Sequence, residues 1–239
     1  MLHITGYQFV ALFELSSLQE RLQKICHSLD IKGTILLSRE GINVNVSGLR
    51  NSISTLKHFF QQDKQLKDLT FRESETPIHA FKRLKIKIKN EIITFRQPHI
   101  DPTQTKAPYI KPKELKQWLD EKRDVILLDA RNDFEIRFGT FEAAIHLHIQ
   151  HFGEFPSAIK HLPSHQTIVT FCTGGIRCEK AALHLIQQGF KEVYQLEGGI
   201  INYFEKVGRA HYQGECFVFD ERISLDTTRE TAESHPEYN

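Results

Sequence analysis

The sequence predicts an α/β protein of two domains, an antiparallel α+β sandwich followed by a domain with a parallel sheet. The chain has 239 residues, which is enough for two small domains or one large one. Strand-like and helix-like apolar patterns alternate along it, and a proline-bearing stretch at residues 97–110 interrupts them. Hydrophobic residues make up 40% and charged residues 26%, a balance typical of globular proteins that excludes a mostly disordered chain.

The first domain is predicted at residues 1–96, where strand and helix patterns alternate. In order, we expect a strand over 7–13, a helix beginning at Ser16, strands over 34–37 and 42–46, a helix with apolar positions from 53 to 60, and extended segments over 70–75 and 84–96. The order β-α-β-β-α-β is that of a ferredoxin-like, or acylphosphatase-like, sandwich, in which two helices cover one face of an antiparallel sheet.

Residues 97–110 contain three prolines and little periodic apolar content, so we interpret them as a linker. A second domain is predicted at residues 111–208, with helices over 113–122, 179–188 and 200–207 and strands over 125–129, 167–171 and 193–196. This alternation indicates a parallel sheet whose functional loops follow the carboxyl ends of the strands. Residues 209–239 form an extension, with one strand-like piece over 216–219 and a polar tail.

The composition indicates a cytoplasmic protein. No stretch approaches the ~18 apolar residues that a membrane-spanning helix needs, and the N-terminus lacks the basic region of a secretory signal. The four cysteines, Cys26, Cys172, Cys178 and Cys216, are too scattered for a disulfide scaffold. In a reducing cytosol a thiol serves chemistry or packing.

Charge is distributed unevenly along the chain. Residues 1–96 carry 15 Lys and Arg against 9 Asp and Glu, a net charge of +6, and residues 97–239 carry 16 against 21, a net charge of −5. This asymmetry indicates that the first half meets a polyanion, either nucleic acid or membrane. The alternative is an accident of surface charge, because sums this small fluctuate easily.

The basic segment FKRLKIKIKNEIITF, residues 81–95, alternates with the period of a strand. Phe81 and four cations share one predicted face, and Leu84, Ile86 and Ile88 share the other. We predict that the four cations bind RNA phosphates; they are Arg83, Lys85, Lys87 and Lys89. The alternative is a solvated face, or a sheet edge protected by lysines.

The sharpest signal is TIVTFCTGGIRCEKAALHLI, residues 167–186. A buried strand delivers Cys172 to its carboxyl end, and a helix begins near Arg177. The residues between them, which we call the active loop, are Thr173, Gly174, Gly175 and Ile176. Loop N–H groups, the helix end and the Arg177 guanidinium are expected to lower the pKa of Cys172 and make it a nucleophile. The alternative is that Cys172 only packs in the core.

The spacing separates two classes of loop. Cysteine phosphatases have five residues between the cysteine and the arginine, whereas four residues lie between Cys172 and Arg177. The shorter loop resembles the rhodanese family, whose cysteine carries a persulfide or a related small adduct. LLDAR at residues 127–131, the following Glu135 and residues 139–141, and LEGG at residues 196–199 support this resemblance, which covers about residues 108–208.

A closer resemblance covers about residues 4–222. CTGGIRCEKA, the N-terminal SREGINVNVSG, the basic segment and GECFVFDER together resemble one rhodanese-containing family, the oxygen-dependent tRNA uridine hydroxylases. The resemblance implies that Cys172 is the active-site residue, that tRNA is the substrate, and that the wobble uridine becomes 5-hydroxyuridine. It also implies molecular oxygen and an unidentified reductant as co-substrates. Longer members carry further cysteines after the last motif, whereas the last cysteine of this chain is Cys216, within the motif. We therefore expect no metal or redox role for such a tail.

Two chemical routes are open for Cys172. Its thiolate could add to C6 of the uracil ring, making C5 electron-rich, with Arg177 and the loop N–H groups stabilising the anion that develops. Alternatively, an oxidised or persulfide sulfur on Cys172 could transfer an atom. Two other functions also remain, a sulfurtransferase that uses a Cys172 persulfide and a non-catalytic RNA-binding module.

The remaining candidates have supporting or structural roles. Cys178 could resolve an oxidised Cys172, although packing under the loop is at least as favoured. Asp129 and Arg131 are expected to support the loop as a buried ion pair, and Cys26 to lie in the core. The histidines at 146, 148, 151, 161 and 165 do not complete a metal site, so we expect them at the surface or facing RNA.

No cofactor is evident in the sequence. SREGINVNVSG lacks the spacing and the lysine of a nucleotide-binding loop. We therefore expect tRNA as the partner, with neither DNA nor a membrane, and we make no prediction of the oligomeric state.

Overall fold

The computed structural model describes residues 1–218 and the backbone of the short strand Ser224–Leu225. It divides into two compact units, Met1–Ile93 and Thr94–Asn239. In the part of the chain that is described, no helix has both the length and the apolar character needed to cross a bilayer.

The first unit is a ferredoxin-like sandwich, as predicted. Its elements are β1 (Leu2–Phe9), α1 (Leu15–Ser28), β2 (Lys32–Ser38), β3 (Gly41–Gly48), α2 (Arg50–Gln62), β4 (Arg72–Glu75) and β5 (Leu84–Ile88). The sheet order is β4-β1-β3-β2-β5, and the first four strands are antiparallel. The prediction of a wholly antiparallel sheet was wrong in one respect, because β5 pairs in parallel with β2.

The core of this unit lies between the helices and one face of the sheet. Leu18, Leu22 and Cys26 recur along one side of α1 and are buried, as their helical spacing predicts. Alternate strand residues such as Ile35 and Val44 are fully buried on the facing side of the sheet. The first strand was predicted too late, because β1 begins at Leu2 and ends at Phe9, where its pairing with β3 ends.

The basic segment forms an edge strand that is shorter than predicted. β5 ends at Ile88, and the chain beyond it leaves the sheet. Ile86 is buried in the core, whereas Arg83, Lys87 and Lys89 are exposed and Lys85 is half-buried. The predicted alternation is present only in part, because Leu84 is half-buried and Ile88 is exposed, and among the described strands β5 has a neighbour on one side only.

The second unit contains the predicted parallel sheet, in the order β6-β11-β10-β7-β9. Its elements up to the sheet centre are β6 (Tyr109–Ile110), α3 (Pro112–Asp120), β7 (Val125–Asp129), α4 (Asp133–Ile136), β8 (Gly139–Phe141), β9 (Ile145–His146), α5 (Phe155–Ala158) and β10 (Thr167–Phe171). There follow α6 (Ile176–Gln187), β11 (Val193–Leu196), α7 (Gly199–Val207), β12 (Tyr212–Gly214), β13 (Cys216–Phe217) and β14 (Ser224–Leu225). Two 3-10 turns, Phe152–Glu154 and Ile159–His161, flank α5.

Part of the segment interpreted as a linker is built into the second unit. Tyr109 and Ile110 form β6 and pair with β11, so these two residues are sheet rather than linker. Ile100 and Ala107 are buried, and the Gln195 side-chain amide donates to the Ala107 carbonyl. Prolines and a missing apolar period hide this packing from sequence analysis, because neither describes an irregular segment lying against a core.

The C-terminal extension begins on the second unit. β12 pairs with β8, and the buried Tyr212 hydroxyl donates to the Gly139 carbonyl at 2.8 Å. In the strand-like piece predicted at residues 216–219, Cys216 and Phe217 form β13. Residue 219 and the polar tail, apart from the backbone of β14, lie outside the described residues.

Candidate active site

Cys172 lies at the carboxyl end of the central strand of the parallel sheet. It follows β10 directly, where Phe171 pairs with Asp129 of β7. Gly175 caps α6 with a φ of 99°, in the left-handed region where a side chain would be strained. The turn it allows lets the chain reverse from β10 into α6. Cys172 itself is fully buried at the base of this turn.

The environment of the Cys172 sulfur favours a thiolate. Burial raises the pKa of Cys172, but a hydrogen bond from the Cys178 thiol, the Arg177 charge and the N–H groups of Arg177 and Gly175 outweigh it. The Gly175 N–H donates to the Cys172 Sγ at 3.2 Å. The net result is a pKa of about 6, against an ordinary 9.0. A thiol of this kind is ionised at neutral pH and can act as a nucleophile.

The N-terminus of α7 is hydrogen-bonded to the backbone of the active loop. The N–H groups of Ile200 and Ile201 donate to the carbonyls of Cys172 and Thr173, at 2.9 and 3.1 Å. Gly199, with a φ of +68°, allows this approach, because a Cβ there would lie 2.3 Å from the Cys172 carbonyl oxygen. The glycine pair at residues 198–199 thus lets the N-terminus of α7 approach the loop closely enough to form these hydrogen bonds.

The Arg177 guanidinium is held by a residue to which sequence analysis assigned no role. Its Nη1 and Nη2 donate to the two carboxylate oxygens of Glu135 at 2.5 and 2.7 Å. Glu135 is fully buried and Arg177 almost so. Burial lowers the pKa of Arg177, but the Glu135 charge raises it by more, so the guanidinium stays protonated. Nη1 and Nη2 donate to Glu135, and the positive charge of the group lowers the pKa of Cys172.

Glu135 joins α4 to the active loop through further hydrogen bonds. Its Oε2 accepts the Asn132 N–H at 3.0 Å, and its Oε1 accepts the Thr173 hydroxyl at 3.4 Å. The signal that could have found it is Asn132 followed three residues later by a glutamate, the spacing of a capping box at a helix start. A buried arginine also needs a buried acid within reach.

Asp129 and Arg131 form a buried ion pair next to the loop. Arg131 Nη2 donates to Asp129 Oδ2 at 2.6 Å, and the Arg131 N–H donates to Oδ1 at 3.0 Å. The pair also bonds β8, where the Gly139 carbonyl accepts from Arg131 and the Thr140 hydroxyl donates to Asp129. These hydrogen bonds connect β7 to β8. Support of the active loop by this pair stays a prediction.

Two further thiols adjoin the active loop. Cys178, in the first turn of α6, is fully buried, and burial together with the Cys172 thiolate keeps its pKa well above the ordinary value. Cys216 of β13 is also fully buried and hydrogen-bonded to Thr173. Burial raises the pKa of Cys216 to about 12, so its thiol is protonated at neutral pH. No local pattern in the sequence predicts that Cys216 contacts the loop, because the two are more than 40 residues apart in the chain.

His146 and His148 lie near this end of the sheet, and the other predicted histidines, at 151, 161 and 165, are exposed. His146 ends β9 opposite Asp129, and the His148 ring lies 3.5 Å from the Asp133 carboxylate. Across the described residues, no three His, Cys, Asp or Glu side chains are grouped so as to hold a metal ion. Arg83, Lys85, Lys87 and Lys89 belong to the first unit, on and beside β5.

Comparison with known proteins adds two domain matches. Residues 1–92 match the family model described as the UPF0176 acylphosphatase like domain, and residues 111–206 match the rhodanese-like domain. Among solved structures, a rhodanese-related protein from Thermoplasma volcanium is 25% identical with a TM-score of 0.37, covering 42% of this chain and 94% of that chain. The match of residues 111–206 identifies the second unit as a rhodanese domain.

Two curated relatives match nearly the whole chain. The tRNA uridine(34) hydroxylase of Cupriavidus necator is 45% identical over 97% of this chain and 85% of its own length. The protein of the same name from Ralstonia nicotianae is 45% identical over 95% of this chain and 83% of its own length. Identity at this level spans both units, so it cannot reflect a shared rhodanese domain alone. The chain belongs to the family of tRNA uridine(34) hydroxylases.

Proposed function

We propose that the protein hydroxylates the uridine at position 34 of tRNA, the wobble position, to 5-hydroxyuridine, with Cys172 as the reactive residue. The observation that carries this proposal is the Cys172 thiolate site within a chain 45% identical to a tRNA uridine(34) hydroxylase over 97% of its length. That match covers 97% of this chain, so it includes both units.

The overall reaction replaces the hydrogen at C5 of uracil with a hydroxyl group. One atom of molecular oxygen enters the ring, the other leaves as water, and an external reductant supplies two electrons and two protons. Oxygen and this reductant are part of the proposal.

The thiolate supports an addition route. Cys172 Sγ forms a bond to C6, and the C5–C6 π electrons move onto C5 and the O4 carbonyl. C5 then attacks an oxygen species at the peroxide level, made from molecular oxygen and the two electrons of the reductant: the C5–O bond forms, the O–O bond breaks, and the second oxygen leaves as water. Loss of the C5 proton and departure of the sulfur then restore the double bond. Arg177 stabilises the thiolate before addition and again on departure through its charge, which lowers the pKa of Cys172. The route through an oxidised or persulfide sulfur on Cys172 remains the alternative.

Access to Cys172 requires movement. The residue has 0% exposure, whereas Thr173, Gly174 and Ile176 beside it are half-buried. A uracil ring therefore reaches the sulfur only after neighbouring side chains shift. The energy for this shift must come from binding other parts of the tRNA, as remote contacts commonly supply it in enzymes.

Cations of the first unit are proposed to supply part of that binding. Arg83, Lys87 and Lys89 are exposed beside or on β5, and Lys85 is half-buried there. Side chains of one sign at ~6.6 Å intervals along a strand repel one another unless a polyanion lies along them. The same cations suit the protection of an edge strand, which β5 is. We place the protein in the cytoplasm, where its tRNA substrate is found.

Nucleoside analysis tests the proposed function. Digested tRNA from cells that lack the gene should lose 5-hydroxyuridine and its derivatives, and the wild-type gene should restore them. Cys172→Ser should not restore them, whereas Cys26→Ser should, because Cys26 lies in the core of the first unit. A change in thionucleosides instead would support a sulfurtransferase, and unchanged nucleosides would support a non-catalytic RNA-binding module. Either result would overturn the proposal.

A further inference from the structure

Two buried thiols lie at the two ends of the active loop. Cys172 ends β10 and Cys178 occupies the first turn of α6, where its N–H donates to the Gly175 carbonyl at 3.0 Å. Both residues have 0% exposure. Gly175 also donates its N–H to the Cys172 Sγ at 3.2 Å, so one residue of the loop is hydrogen-bonded to both cysteines, and the Cys178 thiol lies within hydrogen-bonding reach of the Cys172 sulfur.

The two thiols differ in charge. Cys172 is held as a thiolate with a pKa of about 6, and Cys178 stays protonated. The thiolate is the form of cysteine that attacks peroxides. An oxidant that reaches the loop therefore reacts at Cys172 first.

Oxidation of Cys172 would change the state of Cys178. Burial raises the pKa of Cys178 most, and the hydrogen bond and the negative charge of Cys172 raise it further, whereas Arg177 and Thr170 lower it. A sulfenic acid on Cys172 carries no charge, so two of the three causes that raise the pKa would disappear. Cys178 would then lose its proton more easily, next to the sulfur it must attack.

We propose that Cys172 and Cys178 form a redox pair, in which a peroxide oxidises Cys172 and Cys178 closes a reversible disulfide across the active loop. This inference concerns the same sulfur as the proposed function, but it does not depend on the identity of the substrate. The disulfide would stop activity during oxidative stress and would keep Cys172 from the irreversible sulfinic and sulfonic acids.

The two steps balance. In the first, the Cys172 thiolate attacks hydrogen peroxide, an S–O bond forms, the O–O bond breaks, and the leaving hydroxide takes up a proton as water. In the second, Cys178 gives up its proton and attacks the Cys172 sulfur, the S–S bond forms, and the hydroxyl group leaves as a second water. Two thiols are oxidised by two electrons, and a dithiol reductant reverses the change by exchange.

Peptide mapping of the wild-type protein tests the pair directly. The full-length protein is treated with hydrogen peroxide, its remaining thiols are alkylated, and it is digested with trypsin. Cleavage after Arg177 separates the two cysteines, leaving Cys172 in residues 161–177 and Cys178 in residues 178–180. We expect these peptides linked, ~2 Da lighter than the two reduced peptides together, and released by dithiothreitol. Their absence while Cys172 is oxidised would overturn the proposal.

Variants separate Cys178 from the other thiols. With Cys178→Ala, peroxide should carry Cys172 to the sulfinic or sulfonic acid, ~32 or ~48 Da heavier, which dithiothreitol does not reverse. Cys26→Ser and Cys216→Ser should form the 172–178 link as the wild type does. A disulfide from Cys172 to Cys216 would contradict the assignment, since Cys216 also adjoins the loop through Thr173. All of these readouts are masses, so they stand even if the tRNA assay fails.

Discussion

The buried ion pair of Glu135 with Arg177 fixes the charge that stabilises the Cys172 thiolate. A guanidinium in this position without its acid would be a buried charge with its main partner removed. Glu135 thus sets where the positive charge lies, although it need not touch the substrate.

Glu135→Gln should lower the free energy of unfolding of the second unit by about 3–5 kcal/mol, the usual cost of breaking a buried pair from one side. Trp118, the one tryptophan of the chain, lies in α3 of this unit and reports its unfolding in urea. The matched control is Glu121→Gln, which removes an exposed ion pair with Arg123 and should lower the free energy of unfolding far less, because water screens such a pair. Equal losses of unfolding free energy for the two substitutions would show that the buried Glu135 pair stabilises the fold no more than an exposed pair does.

The Cys172 thiolate can be titrated by its ultraviolet absorbance at about 240 nm, which needs no reagent to enter the loop. The difference between the wild type and Cys172→Ser should rise with a midpoint near pH 6 and stay level above it, because ionisation follows the lowered pKa. Cys26 and Cys216, with pKa values raised by burial to about 12, should be silent near neutrality. Cys178→Ala removes the hydrogen bond that lowers the pKa most, so the midpoint should move up. A midpoint that stays near 9 in the wild type would remove the basis for a nucleophilic Cys172.

At the level of the elements, sequence patterns predicted well where a strand is buried on both faces. β7, β10 and β11 have the bounds that their mainly apolar runs predict, because a short run of this kind is typical of a strand covered on both faces in a parallel sheet. The strands β6, β8 and β9 have two or three residues each, too few for a period to appear. Their positions depend on partners far along the chain.

The same division holds for the site. The turn from β10 into α6 could be predicted, because two glycines between a buried strand and a helix leave few other conformations. Contacts of the loop with Glu135 and Cys216 could not be predicted, because neither residue carries a local signal for its distance from Cys172. Only the packing of α4 and β13 against the loop brings them near.

The hydrogen bonds between the N-terminus of α7 and the active loop join two elements. They can be tested with Gly199 and Gly208, which have nearly the same φ. Gly199→Ala should disturb the loop, because its Cβ would lie 2.3 Å from the Cys172 carbonyl oxygen at a φ of +68°. Gly208→Ala at the other end of α7 meets open space, but its φ of +69° and ψ of −148° lie in a region that essentially only glycine adopts, so it should show backbone strain of about 1–3 kcal/mol without contacting the loop. The titration midpoint of Cys172 should shift in the first variant alone. If both variants titrate like the wild type, the helix end does not set the state of the thiol.

At the scale of the whole molecule, the two parts of the chain on either side of residue 96 differ in net charge. Residues 1–96 carry a net charge of +6, while residues 97–239, which contain the active loop, carry −5. A polyanionic substrate is therefore attracted by one half of the chain and repelled on average by the other. The rhodanese domain itself is close to neutral, with 12 Lys and Arg against 13 Asp and Glu over residues 111–208, so attraction of the phosphate backbone depends mainly on the first unit.

This division predicts how tRNA affinity depends on the lysines of β5. Lys85→Glu combined with Lys87→Glu should weaken tRNA binding and raise KM, and should reduce the slope of log affinity against log salt by about 1 for each phosphate that the protein no longer neutralises. Lys64→Glu with Lys67→Glu makes the same charge change on the same unit, at exposed positions after α2, and should have the smaller effect. Fluorescence anisotropy with labelled tRNA at several salt concentrations measures both. If the β5 variant binds tRNA as the wild type does but aggregates at lower concentration, these lysines protect an edge strand instead, because a strand with one free side and less positive charge pairs more readily with another copy.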